Sequence, residues 1–295
     1  LEDKLKLIEL ILTMAYEAKV NYDDVFSQVR VWDVLIYNFL RNERIVVPPR
    51  KEHEKDTKYV GAYVKDPQVG MHNWIVSFDI NSLYPHLIMQ YNISPEKFVE
   101  MKPSGMSVNN LLDKKVNLDY LKDRDICITP NGAIFKKDNA GFLPRLLDKM
   151  YQDRVVFKKK MLKAKKDYQK TKDSKYRKEI ARCNNIQWAK KIALNSAYGA
   201  VGSQYFRYYD VRQATAITSS GQFVIRYIET KVNEYINNIF KTKSDYIVAS
   251  DTDSIYLCLD KLVQETCKDK SKEQIIDFLN KVVEQKIEPF IEKCF

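Results

Sequence analysis

Apolar residues along this chain recur first at helical spacing. Leu5, Ile8, Leu12 and Ala15 mark one face of an amphipathic helix, and a second apolar run from Val31 to Leu40 ends at Arg41 and Asn42. Pro48 and Pro49 break that pattern. From Tyr59 to about Ile80 the period becomes strand-like, and alternation over Trp74 to Ile80 puts Trp74, Val76, Phe78 and Ile80 on one face, with Ser77 and Asp79 on the other. Turn signals at Pro130-Asn131-Gly132 and Asp138-Asn139-Ala140-Gly141 bracket the short run Ala133 to Phe135, which predicts a hairpin and a small sheet.

Beyond Pro144 the chain has no Gly or Pro to about Gln169 and is rich in Lys, Leu and Met, which predicts a helix roughly 40 Å long at 1.5 Å per residue. Thr171-Lys172-Asp173-Ser174 interrupts it, and a second helix is predicted from about Lys175 to Ala197, ending before Gly199. Two long helices joined by a short polar turn make a projecting antiparallel hairpin. A third helix is predicted from Thr215 to Ile239. Strands at Tyr246 to Ala249 and Ile255 to Leu259 follow, around Ser250-Asp251-Thr252-Asp253-Ser254, and an amphipathic helix runs from Glu273 to Phe295. The fold class expected is α+β, an antiparallel sheet flanked by helices with the long hairpin inserted.

Composition narrows the class. At 295 residues two or more lobes are expected, and no window approaches the roughly 20 apolar residues of a membrane helix. The opening Leu1, Glu2, Asp3 and Lys4 lack a signal-peptide pattern, so a soluble cytoplasmic protein with no membrane partner is expected, in a host cell if the source is viral. Five cysteines (Cys127, Cys183, Cys258, Cys267, Cys294) are scattered singly and read as reduced thiols. His53, His72 and His86 lie at no metal-ligand spacing from one another, which argues against histidine catalysis. Between Arg145 and Arg182 stand 15 Lys or Arg against 5 Asp or Glu, an excess equal to the whole net charge of +10. Such a stretch suits a polyanion, nucleic acid or nucleotide phosphate, although a solvated helix face has the same composition.

Asp79 ends a strand, and Asp251 and Asp253 sit in a tight turn. If the strands are neighbours, three carboxylates converge, and like charges at about 4 Å repel by around 4 kcal/mol per pair at an effective dielectric of 20. Such a cluster calls for cations. Two magnesium ions suit an oxygen-only ligand set, one activating a 3′ oxygen and the other holding a leaving pyrophosphate. Alone, Asp-Thr-Asp-Ser is also an ordinary turn sequence. Arg154 and Lys158 at i, i+4 on the first arm, and Lys191, Asn195 and Tyr198 at i, i+4, i+7 on the second, form one face each that can clamp a triphosphate. Solvated basic residues remain the alternative for Arg154 and Lys158.

Three segments carry a family resemblance: Ser77-Phe78-Asp79-Ile80-Asn81-Ser82-Leu83-Tyr84-Pro85, Lys191-Ile192-Ala193-Leu194-Asn195-Ser196-Ala197-Tyr198-Gly199, and Asp251-Thr252-Asp253-Ser254. In this order they resemble the polymerase motifs of family B DNA polymerases. Tyr59-Val60-Gly61-Ala62 resembles the family's template-strand motif. Asn92-Ile93-Ser94-Pro95-Glu96, Pro130-Asn131-Gly132 and Gly141-Phe142-Leu143-Pro144 are similar to the replicative enzymes of T-even-like bacteriophages, so the resemblance covers nearly the whole chain. His86 stands where Ser is usual, and Ser250 replaces the common Gly.

The resemblance implies a palm and fingers core that extends a primer on template DNA with deoxynucleoside triphosphates. It implies Asp79 and Asp253 as principal metal ligands, Asp251 nearby as a further catalytic and metal-site carboxylate, and the Ile80 carbonyl completing one metal's shell. The metals implied are two Mg2+, with Mn2+ able to substitute. Ser82 and Leu83 amides with Arg154, Lys158, Lys191 and Asn195 would hold the triphosphate, and Tyr84 would lie under the sugar and exclude a 2′-hydroxyl. Tyr59, Gly61, Tyr198 and Gly199 would meet the template and the nascent base pair. The implied division is a connector at 1–50, palm at 51–140, fingers at 141–204 and palm again at 205–295.

The resemblance implies an upstream exonuclease region and a downstream thumb outside this stretch, which has no initiating Met and no Asp-x-Glu and stops in a helix. Proofreading is therefore not expected from it, and weak duplex binding is. A sliding clamp is a further partner expected through the missing C-terminal region. Two other readings stay open on the residues: a metal-dependent nuclease, which leaves Tyr84, Lys191 and Asn195 unexplained, and a non-catalytic nucleic-acid-binding module.

Overall fold

The computed structural model describes residues 7–52 and 59–294, so Leu5 and His53 lie outside the described residues. Helices α1 (Leu7–Ala18) and α2 (Gln28–Asn42) flank a 3-10 turn at Tyr22–Phe26. Ser27 caps α2, its side chain accepting from the Arg30 amide. Strands β1 (Val64–Lys65) and β2 (Ile75–Asp79) lead into α3 (Leu83–Gln90), which the sequence pattern did not predict. Strand β3 (Phe98–Met101), helix α4 (Val108–Leu112) and the hairpin β4 (Ile126–Ile128) and β5 (Ala133–Lys136) follow.

The two long helices are α5 (Phe142–Thr171) and α6 (Lys175–Val201), of 30 and 27 residues, and they pack against each other. Pro144 sits in the first turn of α5, where its missing N–H costs nothing. Lys172 closes α5 in the left-handed conformation. α6 does not stop at Ala197. It runs through Gly199, because Ala197, Ala200 and Val201 are all buried and that packing outweighs the glycine.

Helix α7 (Val211–Phe240) begins a turn earlier than the apolar pattern suggested, since the Asp210 side chain caps it by accepting from the Arg212 amide at 2.9 Å. Strands β6 (Ile247–Asp251) and β7 (Ser254–Cys258) lead to α8 (Asp260–Thr266) and α9 (Lys272–Val282), the latter opened by a Ser271–Gln274 capping box. The expected terminal helix is not continuous. A π-helical turn at Val283–Ile287 separates α9 from α10 (Glu288–Glu292), where Pro289 has no N–H for the regular ladder.

Among the described residues two antiparallel sheets form, one in the order β1-β6-β7-β2 and one in the order β3-β5-β4. The alternation read from the sequence holds in β2: Trp74, Val76, Phe78 and Ile80 pack on a core of Ile225, Ile228, Val232, Ile247, Ile255 and Leu257. A second core gathers Trp32, Ile36, Ile88, Phe135, Leu147, Leu194 and Ile217. The indole N–H of Trp32 donates to the Ala193 carbonyl at 3.1 Å and to Ser196 at 3.0 Å, fastening α2 to α6. α7 contributes Ile217 to this core and Ile225, Ile228 and Val232 to the other, so one helix backs both halves. The five cysteines are free thiols. No helix among the described residues is long and apolar enough to cross a membrane.

Candidate active site

β7 lies between β6 and β2, and this order positions the carboxylates. Asp79 pairs in register with Ser254 across one edge of β7, and Asp251 pairs with the same Ser254 across the other. The two-residue turn Thr252–Asp253 brings Asp253 back over the end of β2, where the Ile80 amide donates to the Asp253 carbonyl at 2.8 Å. Ser254 Oγ donates to Asp79 Oδ2 at 3.4 Å. Thr252 adopts φ 57°. For a β-branched residue that region is strained by about 1–3 kcal/mol, and it is held here by the flanking ladder. Ser250 is buried, and its hydroxyl donates to the carboxylate of Glu229 on α7, pinning β6 to the helix behind it.

The electrostatics follow. Burial, then the charge of Asp79, and further the charge of Asp251, hold the Asp253 carboxyl above its ordinary range. Burial and the same Asp253 push the Tyr84 phenol up to about 12. Tyr198 is also raised, by burial and by its hydrogen bond with Tyr59.

A pocket of about 300 Å³ opens beside these carboxylates. Asp79 and Asp253 line one side, Ser82, Leu83 and Tyr84 the start of α3, and Arg154, Lys191 and Asn195 the inner faces of α5 and α6. Ser82 takes the left-handed conformation at φ 54°, which turns the chain from β2 into α3. Arg154 Nη1 donates to Ser82 Oγ at 3.5 Å, while Arg154 Nε is buried with no hydrogen-bond partner. A guanidinium lining an open pocket suits an anionic ligand.

Eight of the residues singled out from the sequence therefore line one cavity. The others lie around it or apart. Asp251 does not line it: its backbone stands two strand spacings from that of Asp79, about 10 Å, while its charge still reaches Asp253. No group of three or more His, Cys, Asp or Glu side chains able to hold a metal ion occurs among the described residues. Lys158, one turn beyond Arg154, is exposed and outside the lining. Tyr198 packs on Tyr84 with ring centroids 4.9 Å apart, and Tyr59 meets Tyr198 edge-on at 6.4 Å. The Gly61 carbonyl accepts from Gln222 at 2.6 Å, tying the Tyr59–Gly61 segment to α7. Gly199 faces open space, with nothing within 4 Å of where a side chain would begin. Ile80 enters the geometry through its amide.

Several residues near the pocket went unread in the sequence. Trp188 is 43% exposed, and the Lys191 ammonium sits 4.9 Å from the centre of its ring. Its i, i+3 spacing to Lys191 was the available signal. Glu229 and Gly221, both on α7, had none, since their neighbours come from β6 and α3.

The model of DNA polymerase family B matches residues 23–295, and the chain belongs to that family. Among curated relatives, the DNA-directed DNA polymerase of Enterobacteria phage T4 is 33% identical, with 99% of this chain aligned to 37% of the relative. The DNA polymerase of Thermococcus gorgonarius is 32% identical over 84% of this chain and 28% of its own. In fold, the chain is similar to the family B DNA polymerase of the archaeon Pyrobaculum calidifontis, with TM-score 0.61 and 23% identity over 96% of this chain and 31% of that one. The chain thus spans about 37% of the length of the phage relatives it matches.

Proposed function

We propose that this chain carries the nucleotidyl-transfer centre of a template-directed DNA polymerase acting in DNA replication. The observation that carries the reading is the single pocket joining the Asp79 and Asp253 carboxylates to Arg154, Lys191 and Asn195. In this reading residues 51–140 and 205–295 form the palm, α5 and α6 within 141–204 are the fingers, and 1–50 is a connector. Primer-template DNA and deoxynucleoside triphosphates are the substrates.

The donor chemistry fits a hard divalent cation. Asp79 and Asp253 offer only oxygen, and the effect of Asp79 on Asp253 reflects two like charges close enough to oppose each other. Magnesium is commonly held by one or two carboxylates plus substrate phosphates, so the lack of a three-carboxylate cage is no obstacle. Asp79 and Asp253, with the Ile80 carbonyl, would hold two Mg2+, for which Mn2+ can substitute. When bound, the ions supply charge neutralisation at the primer 3′ oxygen and the departing pyrophosphate.

The remaining work falls to the chain's own groups. Arg154, Lys191 and Asn195 grip the triphosphate, with the Ser82 and Leu83 amides at the start of α3. The primer 3′-hydroxyl releases its proton to water as its oxygen attacks the α-phosphorus, the bond from that phosphorus to the bridging β-phosphate oxygen breaks, and the two arms neutralise the pyrophosphate that leaves. Tyr84 lies beneath the sugar, Tyr198 and Gly199 against the new base pair, and Tyr59 and Gly61 along the template. Primer extension by the full-length protein, with magnesium and all four deoxynucleotides, tests this directly. Extension dependent on template sequence is expected. DNA degradation without added nucleotides and no extension with them would replace this reading with a nuclease.

A further inference from the structure

We infer that Gly221 sets how far the Tyr84 ring projects into the nucleotide pocket, and so acts as a positioning residue for sugar specificity. The inference rests on the reading of Tyr84 as the ring beneath the incoming sugar.

Gly221 lies in the interior of α7, a 30-residue helix, where glycine is intrinsically disfavoured against alanine. Its backbone does not require a glycine, because it is not among the residues with positive φ. Space is the physical reason for it. A Cβ at 221 would lie 2.8 Å from Tyr84 Cε1, 3.6 Å from Tyr84 Cδ1 and 3.7 Å from Leu83 Cδ2. The first distance is shorter than any carbon–carbon contact tolerates, so a methyl there must displace the ring.

The direction of that displacement is restricted. Tyr198 stands on Tyr84 at a centroid separation of 4.9 Å with the planes tilted by 53°, blocking a sideways swing. Tyr84 lines the pocket, whereas Gly221 lies outside it, so the ring is interposed between the helix and the cavity. Pressed from α7, the ring moves into the space beside Asp79 and Asp253. The bare backbone of Gly221 is therefore what lets the ring sit back far enough for a deoxyribose. A larger residue there makes the floor of the pocket higher.

The test is a double-mutant comparison in the full-length protein, with single-nucleotide incorporation measured for a deoxynucleotide and its ribonucleotide counterpart. Gly221→Ala is expected to raise KM for deoxynucleotides about tenfold, with a smaller change in kcat, and to leave ribonucleotides at least as strongly excluded. In a Tyr84→Ala background the same change is expected to have no effect on KM, because the ring it presses on is gone. An undiminished effect in that background, or no effect of Gly221→Ala with Tyr84 present, overturns the proposal. Should Gly221→Ala not fold, Tyr84→Ala with Gly221→Leu serves instead. Leucine from α7 then fills the vacated volume and restores part of the ribonucleotide rejection lost in Tyr84→Ala, and no restoration overturns the proposal. If Tyr84→Ala alone leaves sugar discrimination unchanged, the reading of Tyr84 fails. If it relaxes discrimination and Gly221→Ala does nothing, only the role of Gly221 fails.

Discussion

Asp79 and Asp251 stand on opposite sides of the same central strand, each in register with Ser254. Two strand spacings, about 10 Å, separate their backbones. Of the two aspartates flanking Thr252, Asp253 lines the pocket and Asp251 does not.

The first prediction follows from that offset. Asp251→Asn is expected to lower the primer-extension rate by less than about tenfold, since the charge acts on Asp253 only at a distance. Steady-state kinetics at saturating magnesium check it, and a loss near 10³-fold would place Asp251 among the ligands after all.

Lys191 and Trp188 give an optical handle. Nucleotide or pyrophosphate binding is expected to draw the Lys191 ammonium off the indole 4.9 Å away and change its emission. Trp188→Phe should remove the change while leaving the emission of Trp32 and Trp74. Lys191→Ala should raise nucleotide KM about 10–150-fold, the loss of one charge-assisted hydrogen bond.

Behind the site, Ser250→Ala is expected to destabilise the fold by about 1–3 kcal/mol, because it strips the buried Glu229 carboxylate of its donor. Burial holds the Glu229 carboxyl above its ordinary 4.5, and the Ser250 hydrogen bond opposes that rise. A raised carboxyl means the folded state binds the proton more tightly than the unfolded chain. Its stability contribution is therefore full below the unfolded value and is lost as pH climbs through the folded one. Losing the hydroxyl widens the shift, so urea midpoints should separate wild type and Ser250→Ala more at about pH 8 than at about pH 4.

Much of this site was legible in the sequence where local rules govern it. Alternation placed Asp79 at the end of a one-faced strand, helical spacing put Arg154 with Lys158 and Lys191 with Asn195 on one face each of the two arms, and the long uninterrupted run after Pro144 gave the first arm. Long-range pairings were not legible. Nothing local says that β7 lies between β6 and β2, which is what separates Asp251 from Asp79. Helix α3 was missed because Ser82 must first turn left-handed, and Gly199 was misread as a stop because burial of its neighbours decides the end of α6.

The account turns on the Asp79–Asp253 pair, and single-turnover primer extension with Asp253→Asn tests it most directly. Removing one carboxylate is expected to leave the fold intact, because it also removes a like charge from beside Asp79. The account predicts a thermal midpoint without divalent ions at or above that of wild type, together with a loss of about 10³-fold or more in rate at saturating magnesium. Extension at the wild-type rate by the folded variant would contradict it.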